Sequence, residues 1–472
     1  MKKKNRKIRK WIILLLIAAE AGSLLLYALY TKIGKDGALA LGGLVRKEIL
    51  YVIAATLALI PIFLIALYIA WLIGKKRNSV ENDVYPNPAV VPPENIKQDT
   101  EQDIPNKEDP TTHGERFCML SDIDRNKGKF EYRTYEKGMT LEAMCEDFRN
   151  YAANKLKLYY SIDDIRRFIA GLAVSRLLIL QGMSGTGKTS LAHAFGSYID
   201  NTATVIPVQP MWKERTDLIG YYNEFTKRFN ETLLLEKMYE ANYSKDMYIT
   251  VLDEMNIARV EYYFAEFLSL LELPDPDERY LEVVSDRWDN DPAQLKDGRV
   301  KLPINMWFIG TANNDDSTFA ISDKVYDRAM IMNLDAKSER FAAPSTSKKH
   351  ISAAQFEDMV QKAQKEYALS SRNMRRLEEL DKYLIEHFHI TFGNRIMKQI
   401  KTYIPVYVSC GGEELAALDD ILAKKVIRKL ETQNPIYLRN TAEGLISHME
   451  ELFGNDGMPL CKEYIRRLER NA

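Results

Sequence analysis

A glycine-rich segment that ends in lysine and threonine is the strongest chemical signal in this sequence. It follows the apolar segment 177–180 and precedes segment 190–198, which predicts a helix. Backbone N–H groups in such a loop turn inward around a phosphate, and the helix that follows adds partial positive charge. The residues expected to bind the phosphates of a nucleotide are Gly182, Met183, Ser184, Gly185, Thr186, Gly187, Lys188, Thr189 and Ser190.

Two side chains of this loop have more specific expected roles. Lys188 is expected to bridge the β- and γ-phosphates of a nucleoside triphosphate. The hydroxyl of Thr189 is expected to bind Mg²⁺, because a hard cation prefers oxygen ligands. The order strand, loop, helix is the context that this chemistry requires.

An acidic pair follows a second apolar segment. Segment 247–252 predicts a buried strand, and it ends in Asp253 and Glu254. The carboxyl ends of parallel strands share one edge of a sheet, so this pair would face the phosphate loop. We expect Asp253 to hold Mg²⁺, directly or through water. We expect Glu254 to be the base that polarises the attacking water.

Two further polar residues lie where they could complete hydrolysis. Segment 306–310 predicts a third strand, and Asn313 beyond it either orients the attacking water or forms a turn. Arg328 precedes the apolar segment 329–334. It either acts on the γ-phosphate of a neighbouring subunit or pairs with Asp327 at the surface.

The runs GMSGTGKTS, VLDEMNIARVEYYFAEFLSLLE and MWFIGTANNDDSTFAISDKVYDRAMIM resemble the AAA+ ATPases of the dynein-related, McrB-like group. The resemblance implies an α/β fold in which helices sandwich a parallel P-loop NTPase sheet, with a C-terminal helical lid. It also implies a homo-oligomeric ring, usually a hexamer, that uses Mg²⁺ and ATP, with GTP as the alternative. By position, Asn313 matches the sensor-1 asparagine and Arg328 the arginine finger. Members of the group usually have consecutive arginines at this position, whereas this chain has a single arginine there, Arg328.

The resemblance extends to the lid and to two insertions. Arg395, in the segment 391–395, resembles a sensor-2 arginine that contacts the γ-phosphate, and a surface ion pair is the competing interpretation. Segment 208–223 resembles a loop that points toward the pore of the ring, or is an aromatic cap packed on the edge of the sheet. Segment 274–301 has alternating apolar residues and an Asp-Gly turn, which predict a β-hairpin.

The start of the chain has a different composition. Two long apolar segments, about 11–30 and 49–73, predict a hairpin of transmembrane helices within residues 1–77. Lysine and arginine are concentrated before the first and after the second, which predicts a multi-pass protein of the cell membrane with both termini cytoplasmic. Residues 78–115 are rich in proline and polar residues and predict a disordered tether.

The remaining residues divide into three predicted parts. Residues 116–160 form either a small helical cap or the first helices packed on the core, 161–345 the nucleotide-binding core and 346–472 the lid. The 65 Lys and Arg residues nearly balance 66 Asp and Glu, giving a net charge of −1. That balance does not favour nucleic acid as a partner, because such binding relies on excess positive charge.

The function predicted from these features is hydrolysis of ATP with Mg²⁺ to remodel a partner protein at the cytoplasmic face of a membrane. One alternative is a GTP-driven, McrB-like motor of a restriction system. The other is a nucleotide-gated scaffold with little turnover. Glu254 and Arg328 argue against the scaffold, because a protein that only binds nucleotide needs neither a base nor an arginine finger.

Overall fold

The computed structural model describes residues 115–471, apart from 132, 314, 316, 317, 336 and 337. The predicted transmembrane hairpin and nearly all of the predicted tether lie outside these residues. The strands are β1 (Leu177–Gly182), β2 (Thr204–Pro207), β3 (Gly220–Asn223), β4 (Arg228–Glu231), β5 (Tyr248–Asp253), β6 (Tyr280–Glu282), β7 (Arg299–Lys301), β8 (Met306–Asn313) and β9 (Met330–Asn333).

Helices precede, connect and follow these strands. They are α1 (Met119–Asn126), α2 (Gly128–Glu131), α3 (Leu141–Leu156), α4 (Ile162–Val174), α5 (Lys188–Tyr198), α6 (Thr216–Ile219), α7 (Leu233–Ala241), α8 (Val260–Tyr263), α9 (Ala265–Leu270), α10 (Asp323–Tyr326), α11 (Ala353–Glu366), α12 (Ser371–Phe388), α13 (Gly393–Ser409), α14 (Glu414–Lys425), α15 (Pro435–Phe453) and α16 (Pro459–Asn471).

A parallel sheet in the order β2-β5-β8-β1-β9 forms the centre of the described fold. The register pairs Gly182 at the end of β1 with Asn313 at the end of β8. It also pairs Leu252 in β5 with Gly310 in β8, so the next residue, Asp253, lies beside Thr311. The predicted α/β fold with a parallel sheet is confirmed, and its carboxyl edge gathers the predicted site.

Alternating side chains of the strands fill two hydrophobic cores. Leu178 and Leu180 of β1 pack in the core that also contains the helices of the lid. Leu177 and Ile179 pack in the core on the opposite face of the sheet, with side chains of α7 and α9. Strands that are buried on both faces read as continuous apolar runs, which explains why the sequence predicted β1, β5 and β8 correctly.

The first described helices pack against the elements that follow them in sequence. Three backbone N–H groups at the start of α1 donate to the carboxylate of Glu231 at 2.8 to 2.9 Å. A carboxylate is favourable there because it satisfies helical N–H groups that have no partner within the helix. Helix α3 packs against α4 and α5.

Both predicted insertions contain antiparallel strand pairs. Strand β6 pairs with β7, so the hairpin predicted over 274–301 is confirmed. Strands β3 and β4 form a second pair, which begins within the predicted segment 208–223. Arg116 joins the two insertions. Its buried guanidinium forms ion pairs with Asp286 at 2.8 Å and with Asp291 at 2.7 Å. The backbone carbonyl of Arg116 accepts a hydrogen bond from the backbone N–H of Phe229.

Helices α11 to α16 form the C-terminal part of the structure. Helix α13 packs against both α4 and α14, so this part rests on the core. The ammonium of Lys425 donates to the carbonyl oxygens of Tyr326, at 2.7 Å, and Ala329. Burial lowers the pKa of Lys425 to about 7. These contacts connect the end of α14 to the segment that carries Arg328.

We expect Gly310→Ala to destabilise the protein. A Cβ on Gly310 would lie 1.9 Å from the sulfur of the fully buried Met255, so β8 and the segment after Asp253 would have to move apart. Overpacking of this kind costs about 1–3 kcal/mol of unfolding free energy. Thermal or urea unfolding measures the effect. Gly128→Ala is the matched control, because a Cβ there meets no atom within 4 Å. Equal stability of the two variants would contradict this packing.

The predicted location in the cell membrane needs correction. Among the helices that the structure describes, none is long and apolar enough to cross a bilayer. The two apolar segments on which the prediction relied, 11–30 and 49–73, lie outside the described residues. The prediction of a multi-pass membrane protein with both termini cytoplasmic is therefore unsupported, and we withdraw it.

Candidate active site

The phosphate loop runs from the end of β1 to the start of α5, as predicted. The Lys188 ammonium folds back on this loop, donating to the carbonyl oxygens of Gly182 at 3.0 Å and Met183 at 2.8 Å. Its side chain is buried, and desolvation lowers the pKa of Lys188. A cation held against carbonyl oxygens inside the loop is placed to transfer its hydrogen bonds to phosphate oxygens.

Two glycines give the loop its shape. Gly182 has φ +146°, and a Cβ there would lie 2.4 Å from the carbonyl oxygen of Leu334. Gly187 has φ +95° immediately before α5, and its carbonyl accepts from the Tyr160 hydroxyl at 3.1 Å. Side chains are disfavoured at both positions, so the backbone can approach a phosphate closely.

The two predicted Mg²⁺ ligands lie together at the carboxyl edge of the sheet. The Thr189 hydroxyl donates to Asp253 Oδ1 at 2.6 Å. Hydroxyl and carboxylate oxygens suit Mg²⁺, which takes its remaining ligands from phosphate and water. In the described part of the chain no group of three or more His, Cys, Asp or Glu side chains could hold a metal. The Thr189 hydroxyl and the Asp253 carboxylate are the kinds of oxygen that Mg²⁺ binds together with phosphate oxygens and water.

Thr311 is a site residue that the sequence did not predict. Its hydroxyl donates to Asp253 Oδ1 at 2.8 Å and accepts from the backbone N–H of Glu254 at 2.9 Å. Thr311 is buried on β8, two residues before Asn313. It therefore holds both acidic residues in place. The sequence could have indicated Thr311, because Thr311 and Asn313 are two residues apart on one strand and therefore share one face of it.

We expect Thr311→Val to lower turnover on the order of tenfold while leaving the fold intact, since loss of a residue that orients a ligand typically costs that much. The hydroxyl fixes Asp253 and Glu254, and valine keeps the shape without it. Thr311→Ser is the matched control and should retain most activity. Turnover at saturating nucleotide, with Mg²⁺ varied, measures the effect. Equal rates for the valine and serine variants would show that the hydroxyl has no positioning role.

Glu254 lies directly after Asp253 and is exposed. Its backbone has φ +53°, which is unusual for a residue with a side chain. The short 3₁₀ segment that follows, Met255–Ile257, keeps Asn256 against the end of β8. Asn256 Nδ2 donates to the carbonyl oxygen of Asn313 at 2.9 Å, which connects the segment after Glu254 to the predicted sensor.

Asn313 ends β8 beside Gly182 and borders a cavity of about 500 Å³. Gln181, Tyr326 and Arg428 also line this cavity. Gln181 donates to the Tyr326 hydroxyl, and the guanidinium of Arg428 lies 4.1 Å from the centre of the Tyr326 ring. The structure thus places the predicted sensor-1 residue at the same edge as the phosphate loop and near a lid arginine that the sequence did not single out.

Arg328 lies at the opposite edge of the sheet. Its carbonyl accepts from the Ser175 hydroxyl at 3.0 Å, level with the start of β1. Gly182 follows Ser175 by seven residues, six of them in β1, which at about 3.3 Å each places it at most about 23 Å away. The Arg328 guanidinium forms an ion pair with Glu272 at 2.6 Å. The ion-pair partner of Arg328 is thus Glu272 and not Asp327, which was the predicted alternative. The distance along β1 places the phosphate loop of the same chain out of reach of Arg328.

Arg395 lies beside Arg328 and also pairs with Glu272. Helix α13, which carries it, donates from Gln399 to the carbonyl oxygen of Asp327 at 3.3 Å. Arg395 is thus at the amino edge of the sheet. The expectation that it contacts the γ-phosphate held by its own chain does not fit this position, because a lid residue must reach the carboxyl edge to do so. The ion pair that was the alternative is present.

The segment after β2 is partly packed and partly exposed. Trp212 stacks edge-on against Tyr263 with ring centres 5.6 Å apart. Met211, Tyr221 and Phe225 instead expose 83%, 54% and 99% of their surface. The packing of Trp212 fits the predicted aromatic cap, whereas a loop that points toward the pore of a ring stays a prediction.

Comparisons with known proteins agree with this geometry. Residues 177–329 match the AAA domain of the dynein-related subfamily, and residues 346–472 match a domain of unknown function (DUF8727). No curated protein matches the sequence.

Similar solved structures include a candidate ATPase from Cytophaga hutchinsonii ATCC 33406. Its identity is 14% and its TM-score 0.43, over 70% of this chain and 96% of that chain. Another is a full-length MCM homolog from Methanopyrus kandleri, with 10% identity and a TM-score of 0.34, over 66% of this chain and 61% of that chain. Both likenesses are distant.

Four of the five strands of the sheet, the phosphate loop and the acidic pair fall within the residues that match the family, and β9 follows directly after them. The match agrees with the general resemblance predicted from the sequence: residues 177–329 are similar to the AAA domain of the dynein-related subfamily.

Proposed function

We propose that this protein hydrolyses ATP with Mg²⁺, as a ring of identical subunits, and uses the cycle to remodel a partner protein. One observation carries the proposal. The structure brings Lys188, Thr189, Asp253 and Glu254 to one edge of the sheet, with the Thr189 and Asp253 oxygens 2.6 Å apart. These are the side chains that nucleotide hydrolysis requires, and the turnover step follows from their positions.

The residues of the loop bind and orient the nucleotide. Backbone N–H groups of the loop and the start of α5 surround the β-phosphate, and Lys188 exchanges its carbonyl partners for phosphate oxygens. Thr189 and Asp253 would hold Mg²⁺, which would neutralise charge on the phosphates. Thr311 keeps Asp253 in place for this role.

Glu254 then acts on the attacking water. A bond forms between the water oxygen and the γ-phosphorus as the bond to the β,γ-bridging oxygen breaks, and Glu254 takes the proton from water. Asn313, at the neighbouring strand end, is placed to hold that water. The products are a nucleoside diphosphate and inorganic phosphate.

The exposed apolar side chains of the insertion support a protein as the partner. Met211, Tyr221 and Phe225 are large, exposed and carried on a strand pair or the loop before it. Large exposed apolar side chains are typical of surfaces that contact proteins where they form one patch. Arg116 joins this insertion to the second hairpin.

Phosphate release from ATP and from GTP by the purified full chain tests the proposal. We expect Mg²⁺-dependent turnover of ATP that exceeds that of GTP and that disappears when Mg²⁺ is chelated. Faster turnover of GTP would favour a GTP-driven motor. Tight nucleotide binding and ring formation with no turnover would favour the nucleotide-gated scaffold. Either result would overturn the proposal.

A further inference from the structure

A tyrosine from the segment before the family match contacts the phosphate loop. Tyr160 lies between α3 and α4, ahead of residue 177, where that match begins. Its side chain is buried, and its hydroxyl donates to the carbonyl oxygen of Gly187 at 3.1 Å. Gly187 is the last residue of the loop before α5, and a Cβ there would lie 3.3 Å from the Tyr160 hydroxyl. Tyr160 therefore packs directly against the backbone of the loop.

The carbonyl oxygen of Gly187 accepts two hydrogen bonds. Besides the Tyr160 hydroxyl, the backbone N–H of Leu191 donates to it at 2.9 Å, as part of the first turn of α5. A carbonyl oxygen has two lone pairs, so it can satisfy both donors. Together the two donors fix the orientation of the peptide group that joins Gly187 to Lys188.

The same peptide group carries the backbone N–H of Lys188. In a trans peptide the N–H points opposite to the C=O, and the described part of the chain contains no cis peptide. Lys188 is the first residue of α5, so its N–H has no acceptor within the helix. Such N–H groups at the start of a helix bind phosphate. The Tyr160 hydroxyl thus holds a peptide whose N–H points away from the tyrosine and is free to bind a phosphate oxygen.

Neighbouring elements hold Tyr160 itself in place. Its backbone carbonyl accepts from Arg149 Nε on α3 at 3.1 Å, and the Arg149 guanidinium lies 3.9 Å from the centre of the Phe341 ring. The next residue, Ser161, caps α4 by accepting from the backbone N–H of Asp164. Burial raises the pKa of Tyr160, so its hydroxyl keeps its proton and remains a donor. The backbone on both sides of this hydroxyl is therefore fixed.

We propose that Tyr160 is a positioning residue of the nucleotide site, which holds the peptide between Gly187 and Lys188 in the orientation that binds the β-phosphate of a nucleoside di- or triphosphate. The inference rests on the proposed function, because it needs a nucleotide in this loop. It gives the segment before α4 a role in nucleotide affinity. Without the hydroxyl the peptide rotates more freely, and the apparent affinity falls in proportion to the fraction of loops that stay competent to bind.

Equilibrium binding of ADP and of a non-hydrolysable ATP analogue to the full chain tests this role. Tyr160→Phe removes the hydroxyl and keeps the buried ring. We expect its dissociation constant to rise about threefold to tenfold, as for loss of one net hydrogen bond. The factor should be the same for both nucleotides, because both carry a β-phosphate. Turnover at saturating ATP should stay within about twofold, since the bound phosphates then hold the loop and Glu254 is untouched.

Two other tyrosines of the same core supply matched controls. The Tyr198 hydroxyl is buried and has no hydrogen-bond partner in the described structure, so Tyr198→Phe removes an unused hydroxyl. The Tyr151 hydroxyl shares a hydrogen bond with Ser197 Oγ at 2.9 Å, near the end of α5 that is farther from the loop. Tyr151→Phe thus removes a bond of the same kind without touching the loop. Both controls should bind nucleotide as the wild type does, and melting temperatures measured in parallel separate stability from affinity.

Different results would overturn this inference and the proposed function. Unchanged affinity in Tyr160→Phe would overturn the role of Tyr160. Equal weakening in Tyr151→Phe would also overturn it, because the effect would then follow from the stability of the core. Weakening for the ATP analogue alone would place the effect at the γ-phosphate and contradict the inference as well. A wild-type chain that binds both nucleotides but releases no phosphate from ATP would overturn the proposed hydrolysis alone, because the affinities of the variants can still be compared.

Discussion

Arg328→Ala should reduce the rate of nucleotide hydrolysis by about 10³- to 10⁵-fold, the range for loss of an arginine that stabilises the transition state of phosphoryl transfer. The physical reason is the position of Arg328 relative to the phosphate loop. Arg328 lies level with the start of β1, so it is out of reach of the phosphates bound by its own chain, and its guanidinium is fixed by Lys324 and Glu272. It can meet a γ-phosphate only on a neighbouring subunit.

This prediction is checked by single-turnover hydrolysis together with sedimentation of the ring. Nucleotide affinity of the unassembled chain should stay within about twofold, since a group that acts only in the transition state does not contribute to ground-state binding. Arg328→Lys should remain impaired, because an ammonium is a point charge without the planar donors of the guanidinium. If Arg328→Ala lowered the rate of hydrolysis in intact rings by less than tenfold, the proposed action of Arg328 on a neighbouring subunit's phosphate would be contradicted.

Glu254→Gln should abolish most turnover and retain nucleotide. The amide has nearly the same shape as the carboxylate but does not accept a proton from water, and loss of a general base typically costs about 10²- to 10⁴-fold. Mg²⁺ binding should persist, because Thr189 and Asp253 are untouched and Thr311 still holds Asp253.

The measurement for Glu254→Gln is the nucleotide content of the protein after incubation with triphosphate. We expect bound triphosphate to accumulate where the wild type holds diphosphate. Glu278→Gln is a matched control, since Glu278 is exposed in the 3₁₀ turn before β6. Equal accumulation of diphosphate in Glu254→Gln and wild type would show that another group is the base.

Local patterns were enough to predict the phosphate loop and the acidic pair. The strand before the loop and the helix after it are continuous in sequence, and β5 is a buried apolar run that ends at Asp253. Such features are encoded by neighbouring residues, so they are accessible without a structure.

Residues positioned by tertiary structure could not be predicted in the same way. Thr311 is a site residue because β5 and β8 pair in one particular register. Glu272 and Arg395 meet although 123 positions separate them in sequence, since α13 packs beside the segment before β9. The sequence left open whether Arg395 contacts a phosphate or forms an ion pair, because a motif does not state at which edge of the sheet a residue lies.

The central claim is that the side chains gathered at the carboxyl edge of the sheet hydrolyse a nucleoside triphosphate. The most direct test compares phosphate release by the full wild-type chain with that by Lys188→Ala, with Mg²⁺ and after its chelation. We predict steady turnover of ATP by the wild type only, and only with Mg²⁺. Equal phosphate release by Lys188→Ala and the wild type, or release that does not depend on Mg²⁺, would contradict the claim.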